Sequence, residues 1–156
     1  MTVLAGQKAL ADDINTALAA CLGGEVRGSD TAQITTTETV FATTGSSALS
    51  LAASATYRVD LFALHHCSVA NDEFHFRIRD TALGGTVRFE AVTPKLSSIG
   101  IPYVLVGSFL WTTTTATTKK WVATVVRFSG TGYVKALSGA YLKATYIAPS
   151  GRIATI

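Results

Sequence analysis

Charge is scarce in this sequence. Asp, Glu, Lys and Arg make up 15% of its 156 residues, against about 25% in an ordinary soluble domain, while hydrophobic residues reach 48%. That much apolar surface on a chain of about one domain has to be buried in an interface as well as in a core. No block of Lys and Arg is present either, and a net charge of +3 falls short of a surface that tracks a phosphate backbone. The one adjacent pair, Lys119-Lys120, sits in a Thr-rich segment beside Trp121 and reads as an exposed edge.

Cysteine is nearly absent. Cys21 and Cys67 fall in different expected elements, which excludes a disulfide-dense secreted scaffold and leaves buried thiols as the plain reading. The N-terminus lacks the basic start and apolar run of a signal peptide, and the most apolar stretch, Ile99 to Trp111, is broken by Pro102 and too short to span a bilayer. The expected product is soluble and made in a cytoplasm. No G-x-G-x-x-G, P-loop or H-E-x-x-H pattern is present.

What is there reads as β-structure. Glu73 to Arg79 alternates strictly, with Phe74, Phe76 and Ile78 on one face and His75, Arg77 and Arg79 on the other. Tyr57 to Cys67 precedes it across the turn residues Ser68 to Asp72, so the pair is expected to form a central hairpin. From Leu61 to Leu64 the first of these strands is apolar on both faces, and so is Ile101 to Thr112. A half-solvated strand does not carry apolar residues on both sides, so another copy of the chain is expected to cover the second face.

Short strands at about ten-residue spacing, with turns at Gly45-Ser46-Ser47, Gly84-Gly85, Ser129-Gly130-Thr131-Gly132 and Pro149-Ser150-Gly151, indicate an all-β, jelly-roll-like antiparallel sandwich. One helix is expected, within residues 1–24, where Leu10, Ile14, Ala17, Leu18, Cys21 and Leu22 recur at helical spacing, Asp12 and Asp13 suit the first turn and Gly23-Gly24 ends the run. Residues 1–24 are therefore an arm and 25–156 the sandwich domain. The arm's narrow apolar stripe, with Leu10, Ile14 and Leu18, has to dock elsewhere, which makes it the candidate for attachment to a larger particle.

Chemistry has few candidates. His66 would face His75 across the expected hairpin, with His65 and Cys67 pointing the other way; a closed zinc site needs four ligands and a catalytic one three. Satisfied or interfacial histidines are the reading adopted, with no metal and no cofactor. Cys67 beside His65 and His66 is the nearest approach to a nucleophile and base, but neighbours on a strand point to opposite faces, so no catalytic residue is assigned. The basic stripe His75, Arg77, Arg79 and Arg88 reads as a solvated face balanced by Asp60, Glu73, Asp80 and Glu90, the alternative being contact with an acidic partner or nucleic acid. Trp111 and Trp121 read as core or interface anchors, the alternative being a sugar platform.

Gly6-Gln7 followed by Leu10-Ala11-Asp12-Asp13-Ile14-Asn15 is similar to the N-terminal segment common on virion proteins of tailed bacteriophages. Thr36-Thr37-Glu38-Thr39-Val40, Ala55-Thr56-Tyr57-Arg58-Val59 and Arg77-Ile78-Arg79-Asp80 with Gly84-Gly85-Thr86 resemble the small β-sandwich minor tail or decoration proteins of phages infecting actinobacteria. The resemblance implies a non-enzymatic virion component, assembled in the host cytoplasm as a homotrimer, with major capsid or tail proteins and a host-surface glycan as further partners and no membrane. It implies capsid decoration first and a minor tail, tail-tip or fibre role as the alternative. From other classes, a carbohydrate-binding module and a metal-dependent jelly-roll enzyme are the rivals. The expected subunit interface comprises Leu61, Phe62, Ala63, Leu64, Tyr103, Leu105, Phe109 and Trp111.

Overall fold

A computed structural model describes residues 26–27, 33–44, 48–93, 95, 99–137 and 139–149. The expected helix, the attachment residues Leu10, Ile14 and Leu18, Cys21, the boundary between arm and domain and the turn at 45–47 lie outside them. Within the described residues there is no helix. In chain order the strands are β1 (Val26–Arg27), β2 (Thr39–Thr43), β3 (Leu49–Leu51), β4 (Ala55–Cys67), β5 (Glu73–Asp80), β6 (Val87–Val92), β7 (Tyr103–Thr113), β8 (Thr117–Lys119), β9 (Trp121–Ser129), β10 (Val134–Ala136) and β11 (Tyr141–Pro149).

Eight of these make two antiparallel rows, β1-β11-β4-β7 and β2-β9-β5-β6. Numbered along the chain, those orders are 1-8-3-6 and 2-7-4-5, the double Greek key of a jelly roll. Val26 of β1 pairs with both Leu142 and Thr43 and so joins the rows along one side. The short β10 continues the first row where β11 leaves off, with Val134 opposite Cys67. The remaining strands, β3 and β8, pair only with each other, as a two-stranded flap. The all-β sandwich expected from the sequence is present.

The central hairpin is not. β4 and β5 belong to different rows, so the turn between them carries the chain from one sheet to the other. Apolar alternation on both strands is the same whether they pair side by side or stack face to face, and here they stack. The inward row of β4 (Tyr57, Val59, Leu61, Ala63) and that of β5 (Phe74, Phe76, Ile78) are buried in one core with Trp121, Ala123 and Val125 of β9 and Leu142 and Ala144 of β11. Each large side chain in that set contributes about 1.5–3 kcal/mol of transfer free energy. An aromatic contact crosses the layers, Phe76 meeting His65 of β4 with ring centroids 4.8 Å apart, while within its own row Phe76 meets Phe41 of β2 edge-on at 5.7 Å.

Two loops at one end of the sandwich are pinned by a buried carboxylate. Asp72, at the end of the crossover, accepts hydrogen bonds from the backbone N–H of Thr131 (3.2 Å) and Gly132 (2.5 Å), while Ser68 Oγ accepts from Tyr133 N at 2.8 Å. Gly130 lies between them at φ +100, and a Cβ there would overlap the Asp72 carboxylate. Only glycine combines that left-handed backbone with such close approach. Gly130→Ala is therefore expected to lower unfolding free energy by about 1–3 kcal/mol, read as a drop in the urea midpoint with an unchanged m-value; an unaltered midpoint would contradict this packing.

Candidate interaction surface

The two outer faces of the sandwich differ in chemistry. On the β2-β9-β5-β6 face, Glu38 comes from the segment entering β2 and lies over the outward side chains of β5. It accepts from Arg79 Nε (2.7 Å) and Nη2 (2.9 Å), from Arg77 Nη1 (3.0 Å) and from Thr124 Oγ1 (2.5 Å). Burial raises the Glu38 pKa, but the bonds from Arg79 and Thr124 and the charges of Arg79 and Arg77 outweigh it and hold the carboxyl below its ordinary value. Glu90 of β6 extends the chain of charges by binding His75 and Arg77, and the bond from His75 is the largest cause of its own lowered pKa. The basic stripe is thus an internally neutralised lattice. Its balancing groups are Glu38 and Glu90; Asp60 pairs with Arg58 on the other sheet, and Glu73 accepts from Ser129.

Arg88 departs from that stripe. It turns to Asp80, donating from Nε (2.8 Å) and Nη2 (2.6 Å), and Lys119 reaches the same carboxylate at 3.1 Å. Both cations lie near the Trp111 ring, at 4.8 and 4.5 Å from its centroid. Lys119 is therefore part of a half-buried cluster and not the exposed edge expected of it. Trp121 is buried in the core, and its ring meets those of Trp111 and Phe109 edge-on at 6.0 Å.

The β1-β11-β4-β7 face is different. Arg58, Asp60, Phe62, Leu64 and His66 alternate with the core residues of β4 and point outward. On β7 the outward set is Val104, Val106, Ser108, Leu110 and Thr112, with Val104 54%, Val106 70% and Leu110 56% exposed. Register places Val104 beside Leu64 and Val106 beside Phe62, and Phe62 stacks on Tyr141 of β11 with ring centroids 5.3 Å apart. The result is an apolar patch across three strands. It is bordered by Arg58 and Asp60, an ion pair at 2.9 Å, and by Lys143, whose backbone lies opposite Asp60.

The expected interface residues divide by parity. Phe62 and Leu64 are outward, whereas Leu61 and Ala63 are wholly buried in the chain's own core. Tyr103, Leu105, Phe109 and Trp111 are on the inward side of β7, partly buried against that core. Val104, Val106 and Leu110 were missed because β7 is apolar at both parities. A signal existed: Ser108 and Thr112 share the outward parity, while the aromatics share the inward one with Gly107, over which Phe89 packs too closely for any Cβ.

The histidines do not converge. His66 faces out from β4 and His75 out from β5, on opposite surfaces of the sandwich, which removes the cross-strand pair the hairpin would have made. Among the described residues, no group of three or more His, Cys, Asp or Glu gathers as metal ligands. Cys67 is buried, and that burial pushes its thiol pKa up, away from the thiolate a nucleophile needs. His65 lies in the core, with Nδ1 3.2 Å from the Ala63 carbonyl oxygen.

No family model and no curated protein matches the chain. Among solved structures it is similar to one of infectious bursal disease virus, Gx strain, with a TM-score of 0.49 and 13% identity over 83% of this chain and 32% of that one. A structure of the Gt strain gives 0.49 and 9% over 80% and 33%, and the VP2 subviral particle of the same virus gives 0.47 and 12% over 84% and 34%. The chain spans about a third of the length of those proteins. Likeness at this level assigns no function.

His65 generates a pH dependence. Burial lowers its pKa from the ordinary 6.5, against a smaller opposing effect of the Ala63 carbonyl. The unfolded chain then takes up the proton first, so its contribution to stability is complete above about pH 6.5 and declines as pH falls below that value. Thermal melts between pH 7.5 and pH 5 are expected to show a falling midpoint in the wild type and a shallower fall in His65→Leu. Equal slopes would remove His65 as the cause.

Proposed function

We propose that the chain is a non-enzymatic structural protein of a bacteriophage virion, a homotrimeric decoration protein that binds and stabilises the capsid surface. The observation that carries this reading is the apolar outer face of the β1-β11-β4-β7 sheet, where Val104, Val106 and Leu110 stand more than half exposed on a regular strand. A soluble chain keeps such a face when assembly covers it. The sequence likeness between Gly6 and Thr86 to virion proteins of tailed phages points the same way and supplies the particle. A single sandwich domain of this size, with residues 1–24 as the attaching segment, suits decoration, and the major capsid protein is then the second partner.

A glycan-binding module would need a bare ring. Trp121 is in the core, and Trp111 is half-buried with Arg88 and Lys119 close to its ring. That disfavours the carbohydrate reading, and the separation of His66 from His75 disfavours the metalloenzyme. Immunogold labelling of purified particles tests the assignment. Label spread over the head is expected. Label confined to the tail tip would move the protein to host contact, and particles without label would contradict a virion role.

A further inference from the structure

Resting on the assembly reading above, we infer that the outer face of β7 and β4 is where copies of this chain meet. β7 is the end strand of its row, pairs with β4 over eleven consecutive residue pairs without a bulge, and carries no charged residue from Tyr103 to Thr113. Edge strands that stay single are normally protected by a lysine, a proline, a bulge or shortness. β7 has none of these, which is the composition of a strand that another chain covers.

Size and charge point to a second copy as that chain. Eleven residues of β7 at about 3.3 Å each, across the three strands β7, β4 and β11 at about 4.8 Å, give a face of roughly 500 Å², or about 1,000 Å² over two partners, the size from which specific interfaces begin. The apolar centre holds Val104, Val106, Phe62, Leu64 and Tyr141, and the polar border holds Arg58, Asp60 and Lys143, so both signs of charge are present beside one another. A copy of the same face brings the same mixture and finds opposite charges to meet, whereas a strongly basic partner would meet the like charges of Arg58 and Lys143 and a strongly acidic one that of Asp60. The Arg77, Arg79 and Glu38 lattice of the opposite sheet is already satisfied within the chain and asks for no such cover.

The test uses the full chain and two substitutions. Val106→Lys places a charge at the centre of the proposed contact, and Val40→Lys places one at an exposed position of the other sheet. Sedimentation velocity is expected to give a multiple of 16.4 kDa for the wild type and Val40→Lys, and the monomer mass for Val106→Lys with unchanged far-UV circular dichroism. Should Val106→Lys lose its fold, Leu110→Lys at the far end of the row gives the same reading. Full-size assemblies of a folded Val106→Lys or Leu110→Lys, or a monomeric wild type, would overturn the inference. Labelling on particles is a separate measurement, so a failed interface and a failed virion assignment can be told apart.

Discussion

The face-to-face packing of β4 on β5 is the interaction on which the rest of this structure depends. Because Leu61 and Ala63 descend from one sheet and Phe74, Phe76 and Ile78 rise from the other, these two alternating segments become opposite walls of one core. Strand periodicity then fixes the outer surfaces without further choice, since each inward residue commits its neighbours to the outside. The crossover between the strands is held by Asp72, which closes the end of the sandwich against the loop containing Gly130.

Those commitments give two unlike exteriors. One is a polar lattice in which Glu38 gathers Arg77, Arg79 and Thr124, so that Thr124 is buried although it points away from the core. The other is apolar along β7 and β4, with charges only at its border. A charged lattice that satisfies itself has little to gain from a partner, while uncovered aliphatic surface gains by every contact that removes water. The asymmetry is why the assembly reading attaches to one sheet and not to both.

Much of this was legible in the residues. The strict alternation of Glu73 to Arg79 identified the core face of β5, and turn spacing indicated a jelly roll. Pairing was less legible. Nothing in Tyr57 to Arg79 distinguishes two strands hydrogen-bonded side by side from two strands stacked across a core, because the side-chain pattern is the same and only the chain path differs. Parity was ambiguous for the same reason on β7, where aliphatic and aromatic rows alternate with each other instead of with polar residues. Glu38 escaped notice because its partners are 39 and 41 residues away in sequence, and β10 because it is three residues long and its pairing partners, β4 and Ile34, are distant in sequence.

Hydroxyl-radical footprinting of the free protein over a range of concentrations addresses the central claim most directly, since it reports exposure residue by residue. The account predicts that modification of Leu110, Phe62 and Tyr141 falls together as concentration rises, while Phe128, 61% exposed on the opposite sheet, keeps its reactivity throughout. Protection of Phe128 with β7 and β4 still reactive, or no concentration dependence at all, would contradict it.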